Sequence, residues 1–170
     1  MDFKEIMKER YSLREFSNKT VEQTIVQQIL ELVRLSPTAL NHEPYQIFVI
    51  NSSSSLSKVY QAKAPNYGAS TILLLCEELD NRWQNRYSNL DNTLIDIGIV
   101  LGTVLYAAKE CGVDSCPVCD FDPKTLKEEF RLTDNLYPCA LIYLGYPSTS
   151  IGASPRHFLR RKVDEFTHWE

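Results

Sequence analysis

The stretch Asp91–Cys111, DNTLIDIGIVLGTVLYAAKEC, is apolar on nearly every side of a helical wheel. Gly112 follows at once, and a residue without a Cβ suits the left-handed position that closes a helix. A helix of this kind has to be buried on all sides. In a chain of 170 residues that means a central core helix or one shared with a second subunit. Gly98 and Gly102 fall on one face, where they would let another helix approach closely. The run from Leu94 to Ala108 contains Asp96 and falls short of the roughly 20 residues that a membrane span requires.

Shorter elements are legible on both sides of this helix. Thr20-x-x-Gln23 has the form of a capping box, and Val21, Ile25, Ile29, Leu32 and Val33 continue at helical period until Pro37. Gln46–Ile50 is a short β-rich run, with Ser52 to Ser55 after it as a loop or helix entry. Ser70 to Cys76 is too apolar to alternate and reads as a fully buried strand. Asp122-Pro123 supplies an N-cap and an N1 proline for a short helix through Phe130. Ala140 to Leu144 is a last core strand, ended by Gly145-Tyr146-Pro147. The expectation is one α+β domain over residues 1–170, a sheet covered by helices with few tight hairpins.

The chain is 44% hydrophobic and 24% charged, with a net charge of -4, which argues against non-specific nucleic-acid or membrane-surface binding. Met1-Asp2-Phe3-Lys4-Glu5 lacks the apolar core of a signal peptide, and five cysteines without a disulfide pattern point to reduced thiols, so a cytoplasmic protein is expected. Cys116-Pro117-Val118-Cys119 is a C-x-x-C that could form a redox dithiol or half a zinc site. His42, His157 and His168 show no partner spacing, so no metal is expected. Positive charge is local: Arg10-Tyr11-Ser12-Leu13-Arg14 near one end, Arg156, Arg160, Arg161 and Lys162 near the other. Two guanidiniums around a hydroxyl suit a bound phosphate. Taken alone, Arg10 and Arg14 at i and i+4 could instead solvate one face of a helix end, and Asp96 could be a buried helix residue paired locally.

Several of these segments together resemble the FMN-dependent nitroreductase family. Arg10-Tyr11-Ser12-Leu13-Arg14 is similar to its R-x-S-x-R opening, with Phe16 where a phenylalanine commonly follows. Ser36 to Tyr45 resembles A-P-S-x-x-N-x-Q-P-W, and Asp96 to Cys116 resembles the central helix and its L-G-L-G-S-C exit. Pro117 to Asp122 resembles P-I-E-G-F-D, Pro138 to Pro147 the final strand, and Arg160 to Phe166 the closing R-x-P-L-x-E-x.

The resemblance implies a central, mostly antiparallel sheet covered by helices, with Asp91–Cys111 as the long core or dimer-interface helix. It implies a homodimer with FMN at the subunit interface. In the implied two-step reaction NADH or NADPH gives hydride to flavin N5, and a nitroaromatic, quinone or similar acceptor then takes the electrons. The flavin carries the chemistry, so no side chain is assigned as catalytic. Arg10, Tyr11, Ser12 and Arg14 would meet the flavin phosphate and ribityl chain, with Arg160 and its neighbour Arg161 completing the clamp. Pro37, Thr38 and Ala39 would line one edge of the ring, and Asn41 would brace that loop. Pro117, Val118, Cys119 and Asp120 would pass beside the isoalloxazine, with a backbone N–H near N5. The chain departs from the family pattern at Cys119-Asp120 in place of Glu-Gly, Glu43 in place of Gln, Tyr45 in place of Trp and Lys162 in place of Pro. Residues 57–89 leave little room for helices covering a substrate. Two other readings stand beside turnover: a flavin-binding or regulatory module, and a redox protein using Cys116 and Cys119.

Overall fold

A computed structural model of the chain describes residues 2–88, 91–148 and 152–170; Met1 and Asn89, which the sequence reading touches, lie outside them. Four strands form one antiparallel sheet: β1 (Tyr45–Ile50), β2 (Thr71–Glu78), β3 (Asp114–Val118) and β4 (Leu136–Gly145), in the order β1-β2-β4-β3. The helices are α1 (Phe3–Glu9), α2 (Gln23–Val33), α3 (Ser53–Gln61), α4 (Thr93–Glu110) and α5 (Pro123–Phe130).

β2 is a central strand covered on both faces, which is why its sequence is a continuous apolar run. Ile72 and Leu74 turn towards Val59 of α3 and Leu126 of α5, whereas Leu73 and Leu75 face Ile29 and Val33 of α2 and Val100 and Val104 of α4. Each of these four β2 side chains is fully buried, and each contributes about 1.5–3 kcal/mol of apolar transfer.

α4 is the long helix foreseen, from Thr93 to Glu110. Its C-terminus is closed by Gly112 at φ +73, with Gly112 N–H donating to the Lys109 carbonyl (3.1 Å) and Val113 N–H to that of Ala108 (2.9 Å). Only one side of α4 is buried in its own chain. Ile97, Val100, Val104 and Ala108 face the sheet and α2, while Leu94 (63% exposed), Ile95 (61%) and Ile99 face outward. A Cβ built on Gly98 or Gly102 would meet nothing within 4 Å.

Two local expectations, the Thr20 cap and the start of the last strand, are corrected, and one strand is added to them. Thr20 and Gln23 make no capping box: the helix begins at Gln23 after an uncapped Glu22, because the chain stays outside the helix long enough to bury Val21 beside α2. The capping box is instead at Asp2, whose carboxylate accepts from Glu5 N–H (3.0 Å) while Glu5 accepts from Asp2 N–H (3.2 Å). The segment Asp114–Val118 is a strand despite Pro117, because β3 is the last strand in the sheet order, where a missing N–H is tolerated. β4 starts at Leu136, four residues before the apolar run, with a register shift opposite Leu75 and Cys76 of β2.

Candidate functional site

Arg10 is not on a helix face. α1 stops at Glu9, and Arg10 itself is extended (φ -67, ψ 124) with its N–H on the Ile6 carbonyl (2.9 Å). The chain then runs beside β3: Ser12 forms a parallel bridge with Ser115, and Leu13 N–H donates to the Ser115 carbonyl (3.1 Å). Extended chain alternates its side chains. Leu13 turns into the core, so Arg10, Ser12 and Arg14, spaced by two, share the other side and line one cavity. Phe16 anchors the end of the segment, buried against Gly145; a Cβ there would lie 2.8 Å from the Phe16 ring.

The opposite wall of that cavity comes from the far end of the sequence. Ser154 caps a short 3-10 turn, Pro155–Phe158, and Arg160 follows, its guanidinium donating to the carbonyls of Leu159 (3.0 Å) and Arg156 (3.4 Å). His157 ties this turn down: its Nε2 lies 3.2 Å from the Lys8 carbonyl, and its ring meets Tyr11 edge-on at 6.5 Å. The space between the two walls, open on one side, is about 510 Å³ and is lined by Arg10, Tyr11, Ser12, Arg14, Ser154, Arg156, His157 and Arg160. None of these is a carboxylate, and none of the four arginines makes an ion pair among the described residues. Burial pushes the Cys116 thiol up, and the Arg14 and Arg10 charges oppose that rise.

A second cavity of about 330 Å³ shares Arg14 with the first and is lined by Lys63, Pro65, Tyr67 and the run Cys116, Pro117, Val118, Cys119, Asp120. Tyr143 braces its floor, its hydroxyl donating to the Pro65 carbonyl at 2.7 Å. A third cavity, about 240 Å³, holds Pro37, Thr38 and Ala39 with Trp83, Asn92, Ile95, Asp96 and Ile99. It shares no lining residue with the other two. The 37–43 loop is strongly bent, with Leu40, Asn41 and Glu43 all at positive φ. It is braced by Ala39 N–H to Asp96 Oδ1 (3.0 Å), Glu43 N–H to Thr38 Oγ1 (3.0 Å) and Asn81 Nδ2 to the His42 carbonyl (2.8 Å). Asp96 therefore pairs across the fold and not locally.

Most of the residues expected at a site thus line cavities, but within one chain in two separate places. Arg10, Tyr11, Ser12, Arg14 and Arg160 are together, and Arg14 links them to Pro117 through Asp120. Pro37, Thr38 and Ala39 are apart from both. Asn41 lines none of these cavities; its N–H donates to the Thr38 carbonyl (3.0 Å) and its αL backbone shapes the loop. Arg161 turns away, its guanidinium 5.4 Å from the Phe166 ring centre. Cys116 and Cys119 cannot form a dithiol bridge. Cys116 sits within β3 and faces the core while Cys119 is exposed just past its end, and three extended residues span roughly 10 Å where a disulfide needs Cα atoms within about 7 Å. Sequence reasoning missed Ser154, Arg156 and His157, although Arg156, four residues before Arg160, was visible as charge. It missed Lys63 and Trp83 as cavity walls because no local pattern marks them.

Comparison with known proteins adds an independent line. The model of the nitroreductase family matches residues 7–66 and 60–146. A nitroreductase family protein from Clostridium difficile 630 superposes with a TM-score of 0.93 at 34% identity, covering 100% of this chain and 99% of that one. A structure from Exiguobacterium sibiricum 255-15, described as a nitroreductase in complex with FMN, has a TM-score of 0.85 at 20% identity and covers 100% and 98% of the two chains. An FMN reductase [NAD(P)H] of Bacillus subtilis strain 168 is 23% identical over 163 residues; the match spans 85% of this chain and 66% of that protein.

Proposed function

The chain belongs to the nitroreductase family, and from that premise we propose that it is an FMN-dependent oxidoreductase. It takes electrons from NAD(P)H and passes them to a small nitroaromatic, quinone or similar acceptor in two separate half-reactions. The observation that carries this reading is the cavity of about 510 Å³ in which four guanidiniums and two serines converge without a carboxylate.

The residues fit a flavin phosphate. It is a dianion with several acceptor oxygens, and planar guanidinium forks and short hydroxyls are its natural donors. When bound, FMN supplies hydride acceptance and electron delivery, chemistry that no protein side chain provides. The chain's part is to hold and orient the group. Arg10, Ser12, Arg14 and Arg160 grip the phosphate end, with Tyr11 in the same wall. Arg14, shared by two cavities, sets the Pro117–Asp120 run one side chain away from that grip. Cys119 and Asp120 lie beyond the last paired residue of β3, so their backbone N–H groups are free of the ladder and available to the ring. Pro37–Ala39 reach the ring from a second copy, which accounts for their separate cavity and makes the working unit a homodimer. The outward face of α4, with its two open glycines, supports that assembly.

Asp120, exposed in the second cavity, favours one alternative: a flavin-binding module in which a carboxylate beside the ring disfavours an anionic reduced flavin. An absorption spectrum decides both questions. Protein incubated with FMN and desalted is expected to keep a yellow flavin band, to bleach with NADH or NADPH and to recover colour with a quinone. Colourless protein would sink the flavin reading; a band that neither donor bleaches would establish the module.

A further inference from the structure

A single flavin phosphate leaves part of the arginine cavity without a role. Arg10, Ser12, Arg14 and Arg160 suffice to grip one phosphate, yet Arg156 and His157 line the same space of about 510 Å³, a volume that suits a whole small ligand. Across Tyr11 and His157, which line both, this space adjoins a fourth cavity of about 400 Å³. The neighbour differs in kind. Its walls are the Tyr11, His157 and Phe158 rings with Ala153, and Lys8, Glu9 and Lys109 supply its polar groups. The His157 ring meets Tyr11 at 6.5 Å and Phe158 at 5.1 Å, both edge-on, and its Nε2 contact with the Lys8 carbonyl (3.2 Å) holds that wall in place.

Three cavities thus follow one another along β3. Lys109 of the fourth cavity pairs with Asp114 (3.3 Å) where the strand begins, and Val118 of the Pro117–Asp120 cavity ends it. About 13 Å of extended strand separates these points. The arginine cavity shares Arg14 with one neighbour and Tyr11 and His157 with the other, so it lies between them.

We propose that the site takes a flavin dinucleotide, FAD, as well as FMN, with the pyrophosphate spread across the four arginines and the adenine lodged between Tyr11, His157 and Phe158. The proposal rests on the flavin reading above. A flavin dinucleotide carries its ring, two phosphoryl groups and adenine in that order, and the cavities along β3 repeat it. Two guanidinium forks are available to each phosphoryl group, Arg10 and Arg14 from one wall, Arg156 and Arg160 from the other. Adenine is a planar base that stacks on aromatic side chains, and its amino group and the ribose hydroxyls are donors that the Glu9 carboxylate can accept from. Phe158 is 72% exposed within the chain, a surface that a stacked base covers.

The test titrates the flavin-free chain with FMN and with FAD, following flavin fluorescence, for the wild type and for Phe158→Ala. Phe158 lines the fourth cavity and neither of the two that hold the phosphate and the ring. Wild-type chain is expected to bind FAD within about tenfold of FMN, or more tightly. Phe158→Ala is expected to weaken FAD by about fivefold or more, the effect of removing one stacking partner from a base, and to leave FMN within about twofold. FAD bound more weakly than that limit by the wild type overturns the proposal, and so does a variant that weakens both flavins alike or neither. Should circular dichroism show that Phe158→Ala does not fold, Phe158→Leu, which keeps the apolar bulk and loses the ring, replaces it under the same criteria. Protein that binds neither flavin removes the flavin reading and this proposal together, whereas FMN bound to the exclusion of FAD removes this proposal alone.

Discussion

Arg82 and Arg160 are the same side chain in opposite circumstances. Arg82 meets both oxygens of Glu77 (3.0 and 3.2 Å) and reaches Asp91 at 3.0 Å, and the Glu77 side chain is only 3% exposed. Every charge there has its partner inside the chain. Trp83 and Thr93 close the same base, with Trp83 N–H on Thr93 Oγ1 (3.4 Å), so this knot fastens the segment between β2 and α4 to the sheet. Arg160, with Arg10, Arg14 and Arg156, faces a cavity and no carboxylate. The knot is a fastening that needs nothing more. The cavity gathers four guanidiniums with no ion-pair partner among the described residues.

Substitutions can break this comparison or sharpen it. Arg82→Ala is expected to act most strongly on stability, by about 3 kcal/mol in chemical denaturation, because it strands the buried Glu77 carboxylate; partial exposure of Arg82 keeps the value at the low end for a broken buried pair. If the loss were negligible, the knot would be ornamental. Arg160→Ala and Arg10→Ala should leave the denaturation midpoint of the flavin-free chain in place and weaken FMN binding by about 1.5–3 kcal/mol each. Unchanged titration curves for both would move the phosphate elsewhere. On the open stripe of α4, Gly98→Leu has room in the single chain but would obstruct a close neighbour, so sedimentation should show roughly tenfold weaker association, about 1.4 kcal/mol. An unaffected dimer would place the interface on another face.

The smallest effect is a pH dependence of the knot. Burial pushes the Asp91 carboxyl up, but hydrogen bonds from Thr93 and the Arg82 charge outweigh it, and the net shift is downward. A depressed carboxyl contributes stability that is present above its unfolded value and lost as pH falls through the folded one. Asp91→Asn should therefore flatten the acid limb of the stability curve, lowering stability at neutral pH and leaving it nearly unchanged at the acid end, where the wild-type carboxyl is already protonated. An acid limb of wild-type slope would show that Asp91 does not contribute.

What was legible in the sequence was whatever depends on near neighbours or on composition. The all-round apolar α4, the doubly buried β2, the Asp122-Pro123 start of α5 and the Gly112 cap each follow from a few adjacent residues. The spacing of Arg10, Ser12 and Arg14 was legible too, but its meaning changed: period two on an extended segment, not four on a helix. β3 stayed hidden because Pro117 reads against a strand until the strand is known to be at an edge. The Arg82 knot and the Asp96 brace join residues through the fold, and no local pattern announces them. Thr20 and Gln23 failed in the other direction, since a correct cap signature yielded to the burial of Val21.

The sheet order has a consequence in time as well as in space. β2 must wait for β4, some sixty residues later, and the Arg10 wall of the cavity must wait for Arg160. Contacts so distant along the chain form slowly. During synthesis, a ribosome that has made the first hundred residues holds a chain with α1 and the first two arginines but not the opposite wall of the cavity. The cavity is thus a late feature in the life of each molecule, complete only after residue 160 has emerged.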